Sequence, residues 1–395
     1  MKVAIVIPTH TNIKSSLHIL MEVYGYLKKT KNVHSTIFTD ASNTATYPGF
    51  DVVRVNSIDY NTIWSKLLFV LGIPRYYYSD LIAKLKDYDI IETSNPEFYI
   101  FAYQSYLAAK KYNTKLILRT SQTLEGFFLF RLSKYIVVPF ARKAYDYASH
   151  LLFTNPDAAH RAEKLGLIER NSKKTVIIGH ATDTSMFKPF KVKKYKKKII
   201  LSVGGLYKIK GHHLIIKSLS RVRKRYDAEL WIVGEGYYKN HLEILSEKLK
   251  VSGYVKFLGG KSKEELAKIY NVADVFVLAN YQEITPAVNE ALACGTPVVV
   301  MECGGRKFVI PNEDYGLVSK KFDVSNMSNK IIKILENKNL AKKISNNGRL
   351  HILKNFSVEN VAEKFYDSFI GLSYPEIISP KFNKAGKPAF YDKAQ

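Results

Sequence analysis

At 395 residues the chain is too long for one ordinary core and fits two or three domains. Hydrophobic residues make up 46% and charged residues 24%, which excludes wholesale disorder, and no apolar run reaches the roughly 18 residues of a membrane span. Sixty Lys and Arg against 35 Asp and Glu leave a net charge of +25, which favours anionic partners such as nucleic acid, anionic lipid or phosphorylated small molecules.

The opening "MKVAIVIPTH" has an apolar core too short for a signal peptide and reads as a first buried strand. Further short apolar runs follow at 35–40, 51–55, 88–93, 115–120, 150–155 and 174–179, with helix-like patterns between them at 15–30 and 98–112. Near-continuous apolar strands alternating with helices predict a parallel sheet covered on both faces. The lysine-rich stretch "TSMFKPFKVKKYKKK" (184–198) has no apolar period and reads as a linker, its lysines forming a solvated hinge. The alternation then restarts, with strands at 198–206, 228–236, 254–260, 274–281, 297–303 and 315–321. Cys294 and Cys303, the two cysteines, match no common metal spacing and cannot frame a fold, so a cytoplasmic protein is expected. The expected architecture is two doubly wound α/β domains followed by a last helix and polar tail.

Two phosphate-loop patterns fail on inspection. "GGKS" (259–262) would need its first glycine at Val255, and "GEGYYK" (234–239) has Lys239 where a dinucleotide fingerprint needs its third glycine. "SVGGLYKIKGHH" (202–213) is different: a strand ends in Gly204-Gly205, and Lys210-Gly211 opens a helix. Paired glycines let backbone approach a ligand and the lysines supply charge for a phosphate, although a tight turn with solvated lysines has the same appearance. In "EITPAVNEALACGTPVV" (283–299), Thr285 suits an N-cap and Pro286 the first helical position. Glu283 then precedes the helix and Glu290 lies about one turn inside it. Amides around Ala287 and Val288 would favour an anion at the strand ends, while each carboxylate could bridge vicinal hydroxyls. The bland alternative is a glutamate favouring a first helical turn beside a solvated one.

This constellation resembles the signature of retaining GT-B glycosyltransferases, glycosyltransferase family 4. "SVGGLYKIKG" is similar to the family's phosphate loop, "WIVGEG" to its next strand and turn, residues 255–281 to its base-flanking region, and "ECGGRKFVIPNEDYGLV" (302–318) to its closing Gly-Gly loop. "GHATDTSMFKP" (179–189) resembles the end of the family's first domain.

The resemblance implies a GT-B fold of two Rossmann-like domains facing across a cleft. Residues 1–185 would bind the acceptor, 186–198 would be a basic linker and 199–356 would bind a nucleotide-sugar. The tail 357–395 would return to the first domain. It also implies sugar transfer without a cofactor or metal. Gly204, Gly205, Lys208, Lys210, Gly234, Glu235, Thr285, Pro286, Ala287, Val288 and Glu290 would line the donor site, with Glu290 on the ribose and Glu283 on the sugar. Lys210 and Lys208 would stabilise the leaving diphosphate.

The departures are specific. The first family glutamate aligns with Gln282 or, after a one-residue deletion, with Glu283, which is the reading adopted. Gly205 stands where relatives carry an arginine, and Lys208 is its substitute. Ser121 or Gln122 stands where relatives carry a histidine; Gln122 can hold a sugar hydroxyl but cannot shuttle a proton. The expected activity is transfer from a UDP- or GDP-sugar to a glycan or lipid-linked acceptor. The basic apolar stretches 63–78 and 126–145 suit either peripheral contact with an anionic cytoplasmic membrane face or ordinary packing on a sheet. Alternatives are an epimerase of the same architecture or an inactive sugar-nucleotide-binding partner. No motif supports nucleic acid.

Overall fold

The computed structural model describes residues 1–7, 14–59, 76–94, 100–120, 130–170, 172–193, 195–372, 381–382 and 388–389. The chain divides into two units, Met1–Gly179 with Val358–Pro388, and His180–Ser357 with Ala389–Gln395.

The first unit contains β1 (Lys2–Val6), β2 (His34–Asp40), β3 (Asp51–Val55), β4 (Ser57–Asp59), β5 (Tyr76–Tyr78), β6 (Ile90–Ser94), β7 (Lys115–Thr120), β8 (His150–Phe153) and β9 (Thr175–Ile177). Seven of these form one sheet in the order β3-β2-β1-β6-β7-β8-β9, every pair parallel. All five residues of β6 and all four of β8 are buried, as strands covered on both faces require. The antiparallel pair β4–β5 has no alternating pattern to announce it. Its partner is a side chain: Gln104, fully buried, accepts from the Tyr78 N–H at 3.1 Å and donates to its carbonyl at 2.7 Å.

The helix Val358–Ile370 belongs to this unit, and its aromatic face explains why. Phe365 and Phe369 pack on the ring of Tyr24 at 5.9 and 6.1 Å between centroids. The Tyr24 hydroxyl donates to the buried carboxylate of Glu92, whose other oxygen accepts from Arg119 Nε at 2.7 Å. Lys364 lies against the carbonyls of Ile177 and Ile178, and burial pushes its ammonium down to about 8.

The second unit has β10 (Lys198–Val203), β11 (Ala228–Val233), β12 (Val255–Phe257), β13 (Val275–Leu278), β14 (Val298–Met301) and β15 (Leu317–Ser319). They form a parallel sheet in the order β12-β11-β10-β13-β14-β15. The winding direction reverses between β10 and β13, so the loops leaving those strands diverge and open a crevice at their carboxyl ends.

Most described residues of 186–198 are exposed, but the segment also makes contacts with the second unit. Phe187 is buried in the core of the second unit, and Asn271 both accepts from the Phe190 N–H and donates to the Lys188 carbonyl. Tyr195 packs edge-on against Trp231 at 5.1 Å, and Lys197 pairs with Glu229 at 3.0 Å. Burial opposes ionisation of Glu229, but donors from Lys256, Trp231 and Lys197 outweigh it and hold its carboxyl at about 2. The lysine run conceals these aromatic anchors in the sequence.

Phe365→Ala should lower the stability of the first unit by about 3–5 kcal/mol in urea unfolding, since it removes a buried aromatic from the Tyr24 cluster.

Candidate functional site

Three loops meet at the reversal point of the second sheet. The first follows β10. Gly204 closes the strand with an N–H to the Val233 carbonyl, and Lys208–Lys210 forms one short 3-10 turn. Gly211 ends that turn at φ +71° and starts the helix His212–Val222. A side chain there would strike the carbonyl of Ala279, just beyond β13, so glycine is what permits the two loops to touch. The Tyr281 N–H seals the contact by donating to Ile209 at 3.1 Å. On the other side, Gly234 at φ +136° approaches the Gly204 carbonyl just as closely.

The second loop runs from Asn280 to Thr285. Asn280 donates to the Glu283 carbonyl, and Glu283 forms a parallel bridge with Gly304 of the loop after β14. The neighbouring carbonyl of Gln282 accepts from the Gly304 N–H. Gln282 and Glu283 are therefore both fixed by backbone, and the Glu283 carboxylate lies within the electrostatic reach of Lys210. Burial pushes the Lys210 ammonium down, and the Glu283 carboxylate pulls it back up.

The helix Pro286–Ala293 follows, with Thr285 as N-cap and Pro286 in the first turn. Thr285 makes no capping bond, and its buried Oγ1 has no hydrogen-bond partner. Val288 is fully buried and its N–H already donates to the Thr285 carbonyl, so it does not present an amide as the sequence suggested; Ala287 stays half-buried. Glu290, one turn in, accepts from the Tyr270 hydroxyl at 2.8 Å. Burial raises its carboxyl above the ordinary value, while Tyr270 and Lys263 act against that rise.

The remaining expected residues are less central. Lys208 is exposed. Glu235 is also exposed and turns to the neighbouring loop, where it accepts from the Gly260 N–H at 3.2 Å. Gly205 lies under the ring of Tyr207, and its successor's N–H donates to the Glu235 carbonyl. Ser121 and Gln122 lie outside the described residues, as does residue range 63–75.

Two neighbours escape a reading by motif. His212 is buried beneath Gly204, bonded to Ser202 at 3.1 Å, and burial pushes it down to about 4, so it is neutral at pH 7. Tyr270 belongs to the helix Lys263–Val272, where it looks like any core aromatic. Neither carries a local signal beyond its residue type. Among the described residues, no group of three or more His, Cys, Asp or Glu is arranged to hold a metal. No described helix is long and apolar enough to cross a membrane.

Over nearly its whole length this chain has the fold of the GT-B glycosyltransferases, two parallel-sheet Rossmann-like units. A glycosyltransferase structure from Rickettsia africae matches 94% of this chain and 98% of its own, with TM-score 0.74 at 19% identity. The Anabaena protein HepE in complex with UDP matches 94% of this chain and 100% of its own, with TM-score 0.74 at 15% identity.

Residues 184–351 match the family model of the glycosyl transferases group 1. The chain is similar to an uncharacterized glycosyltransferase of Methanocaldococcus jannaschii, 31% identical over 169 residues, 42% of this chain and 43% of that protein. The chain spans about half the length of the curated relatives it matches.

Two outcomes follow from the geometry. Gly211→Ala should cost about 3 kcal/mol or more in urea unfolding, from left-handed strain and the Ala279 collision together. The raised carboxyl of Glu290 means that the folded state binds its proton more tightly than the unfolded chain does. Wild-type stability therefore falls as pH rises from the ordinary value of 4.5 through the folded value, and the loss persists above it. Glu290→Gln should match wild type in acid and become the more stable protein towards neutral pH, in unfolding curves run from about pH 4 to 8.

Proposed function

We propose that this protein is a retaining, metal-independent glycosyltransferase of family 4, moving a hexose from a UDP- or GDP-sugar to a glycan or lipid-linked acceptor. The observation that carries the proposal is that the Lys210 turn and the Glu283 loop follow the two strands at the reversal point, Glu283 acting on Lys210, with the helix start at Thr285–Pro286 and Glu290 one turn further on. A diphosphate needs backbone amides and a cation, and a sugar and a ribose each need an acceptor for vicinal hydroxyls. The group 1 domain and the GT-B fold support this reading, as does a similar structure that binds UDP.

In this mechanism the helix start and the 204–211 turn seat the diphosphate. Lys210 faces the charge that grows on the leaving phosphate as the anomeric bond breaks, and Lys208 adds a second cation from the rim. Burial strengthens the Lys210 interaction, because little water competes for the ammonium. Glu283, next to Lys210, holds the donor sugar, and Glu290 accepts from the ribose hydroxyls. The neutral His212 beneath the turn brings no additional charge. Gln122 holds hydroxyls on the acceptor side, and the net charge of +25 draws the enzyme to an anionic cytoplasmic membrane face where lipid-linked acceptors reside.

The first test is thermal stability with UDP, GDP, ADP and dTDP, repeated on Glu290→Ala. A nucleotide at about 100 times its dissociation constant should stabilise the binding unit by roughly 2.7 kcal/mol. One nucleotide should raise the melting point of wild type and lose that effect in the variant. No shift with any of the four would refute the donor site.

A further inference from the structure

Glu290 is a half-buried carboxylate in the second unit whose hydrogen-bond donor is a tyrosine with no exposure of its own. The Tyr270 hydroxyl donates to Oε2 at 2.8 Å. Its ring is held edge-on by Phe187 at 5.9 Å and tilted against Phe276 at 5.8 Å. Its carbonyl accepts from Thr296 Oγ1 at 2.7 Å. The next helix position is also pinned, since Asn289 donates to the His180 carbonyl at 3.0 Å. Tyr270 cannot relax without moving two aromatic neighbours, whereas Glu290 keeps partial exposure. A carboxylate with one oxygen engaged from below has the other left for a ligand, in an orientation set by the rigid donor.

We infer that Tyr270 is a positioning residue for nucleotide recognition: it fixes Oε2 of Glu290 and so presents Oε1 to the 2′,3′-diol of a ribonucleotide. The inference rests on the donor-site reading given above. It adds a consequence that a merely structural tyrosine lacks, which is discrimination between ribo- and deoxyribonucleotides. A diol can satisfy the presented oxygen with a pair of hydroxyls, and a 2′-deoxy sugar has lost one of them. If the carboxylate is free to rotate, that geometric difference is blurred, because Glu290 can follow a single hydroxyl or turn to water. Lys263, half-buried on the same helix as Tyr270, faces Glu290 as well, and Cys294 lies near its charge on the other side. Neither restricts the carboxylate through a hydrogen bond as short and as buried as that of Tyr270.

Calorimetric titration of the full chain with UDP, GDP and their 2′-deoxy counterparts tests this, with each variant's melting point recorded alongside. For the base that binds, wild type should favour the ribonucleotide by about tenfold or more. Tyr270→Phe, which removes one oxygen and keeps the ring packing, should bring that ratio to within about threefold while the deoxynucleotide binds as before. Glu290→Ala should also abolish the preference, and adding Tyr270→Phe to it should change nothing further. The inference fails if Tyr270→Phe keeps the wild-type ratio, or weakens both nucleotides equally. It fails too if Tyr270→Phe still shifts the ratio without Glu290, or if wild type binds both sugars equally. Absence of binding by any nucleotide would instead overturn the donor site itself, and the inference with it.

Discussion

The site depends on backbone touching backbone at the reversal point of the second sheet. Gly211 lies against Ala279 and Gly234 against Gly204, in each case where a β-carbon would collide with a carbonyl. These approaches bring the turns after β10, β11 and β13 within reach of one another, and everything chemical is suspended from them. Lys210 precedes the first contact and Asn280 follows it, so the cation and the loop that carries Glu283 are set by the same close packing. Parallel strands alone would leave the loops diverging across a wide crevice. The glycines narrow it.

A protein with a large excess of positive charge nevertheless buries carboxylates, and it treats them in different ways. Glu92 is enclosed by a tyrosine and an arginine in the first unit. Glu229 receives two lysines and a tryptophan and is held strongly ionised. Both are satisfied, which is the usual condition for a charge out of water. Glu290 has Tyr270 and the field of Lys263, which do not outweigh its burial, so its carboxyl stays raised. That shortfall destabilises the folded chain at neutral pH. The role proposed for Glu290, holding the hydroxyls of a ribose, would offset that cost.

The same logic separates what could be read along the chain from what could not. Strand runs such as "VVVM" are legible because a strand buried on both faces is apolar at every position, whatever its neighbours are. Thr285 and Pro286 are legible because an N-cap and a first-turn proline are local preferences. The β4–β5 hairpin is not, since Gln104, more than two dozen residues away, completes its bonding. In the segment 186–198 lysines dominate the composition, and the buried contact of Phe187 is not apparent from it. Between Gln282 and Glu283 the spacing is ambiguous, because both belong to one loop held by backbone contacts with Gly304.

What the sequence alone determined is the inventory: two alternating α/β halves, a glycine-lysine turn, a helix opened by Thr285–Pro286 and the glutamates around it. These follow from period, propensity and spacing, each of which acts within a few residues. Tertiary structure decided which of those groups act together and in what electrostatic state. Tyr270 against Glu290 joins two helices, Glu283 acting on Lys210 joins two loops, and the neutrality of His212 follows from its burial. Burial and distance, which set charge and orientation, exist only once the sheet has brought its strands side by side.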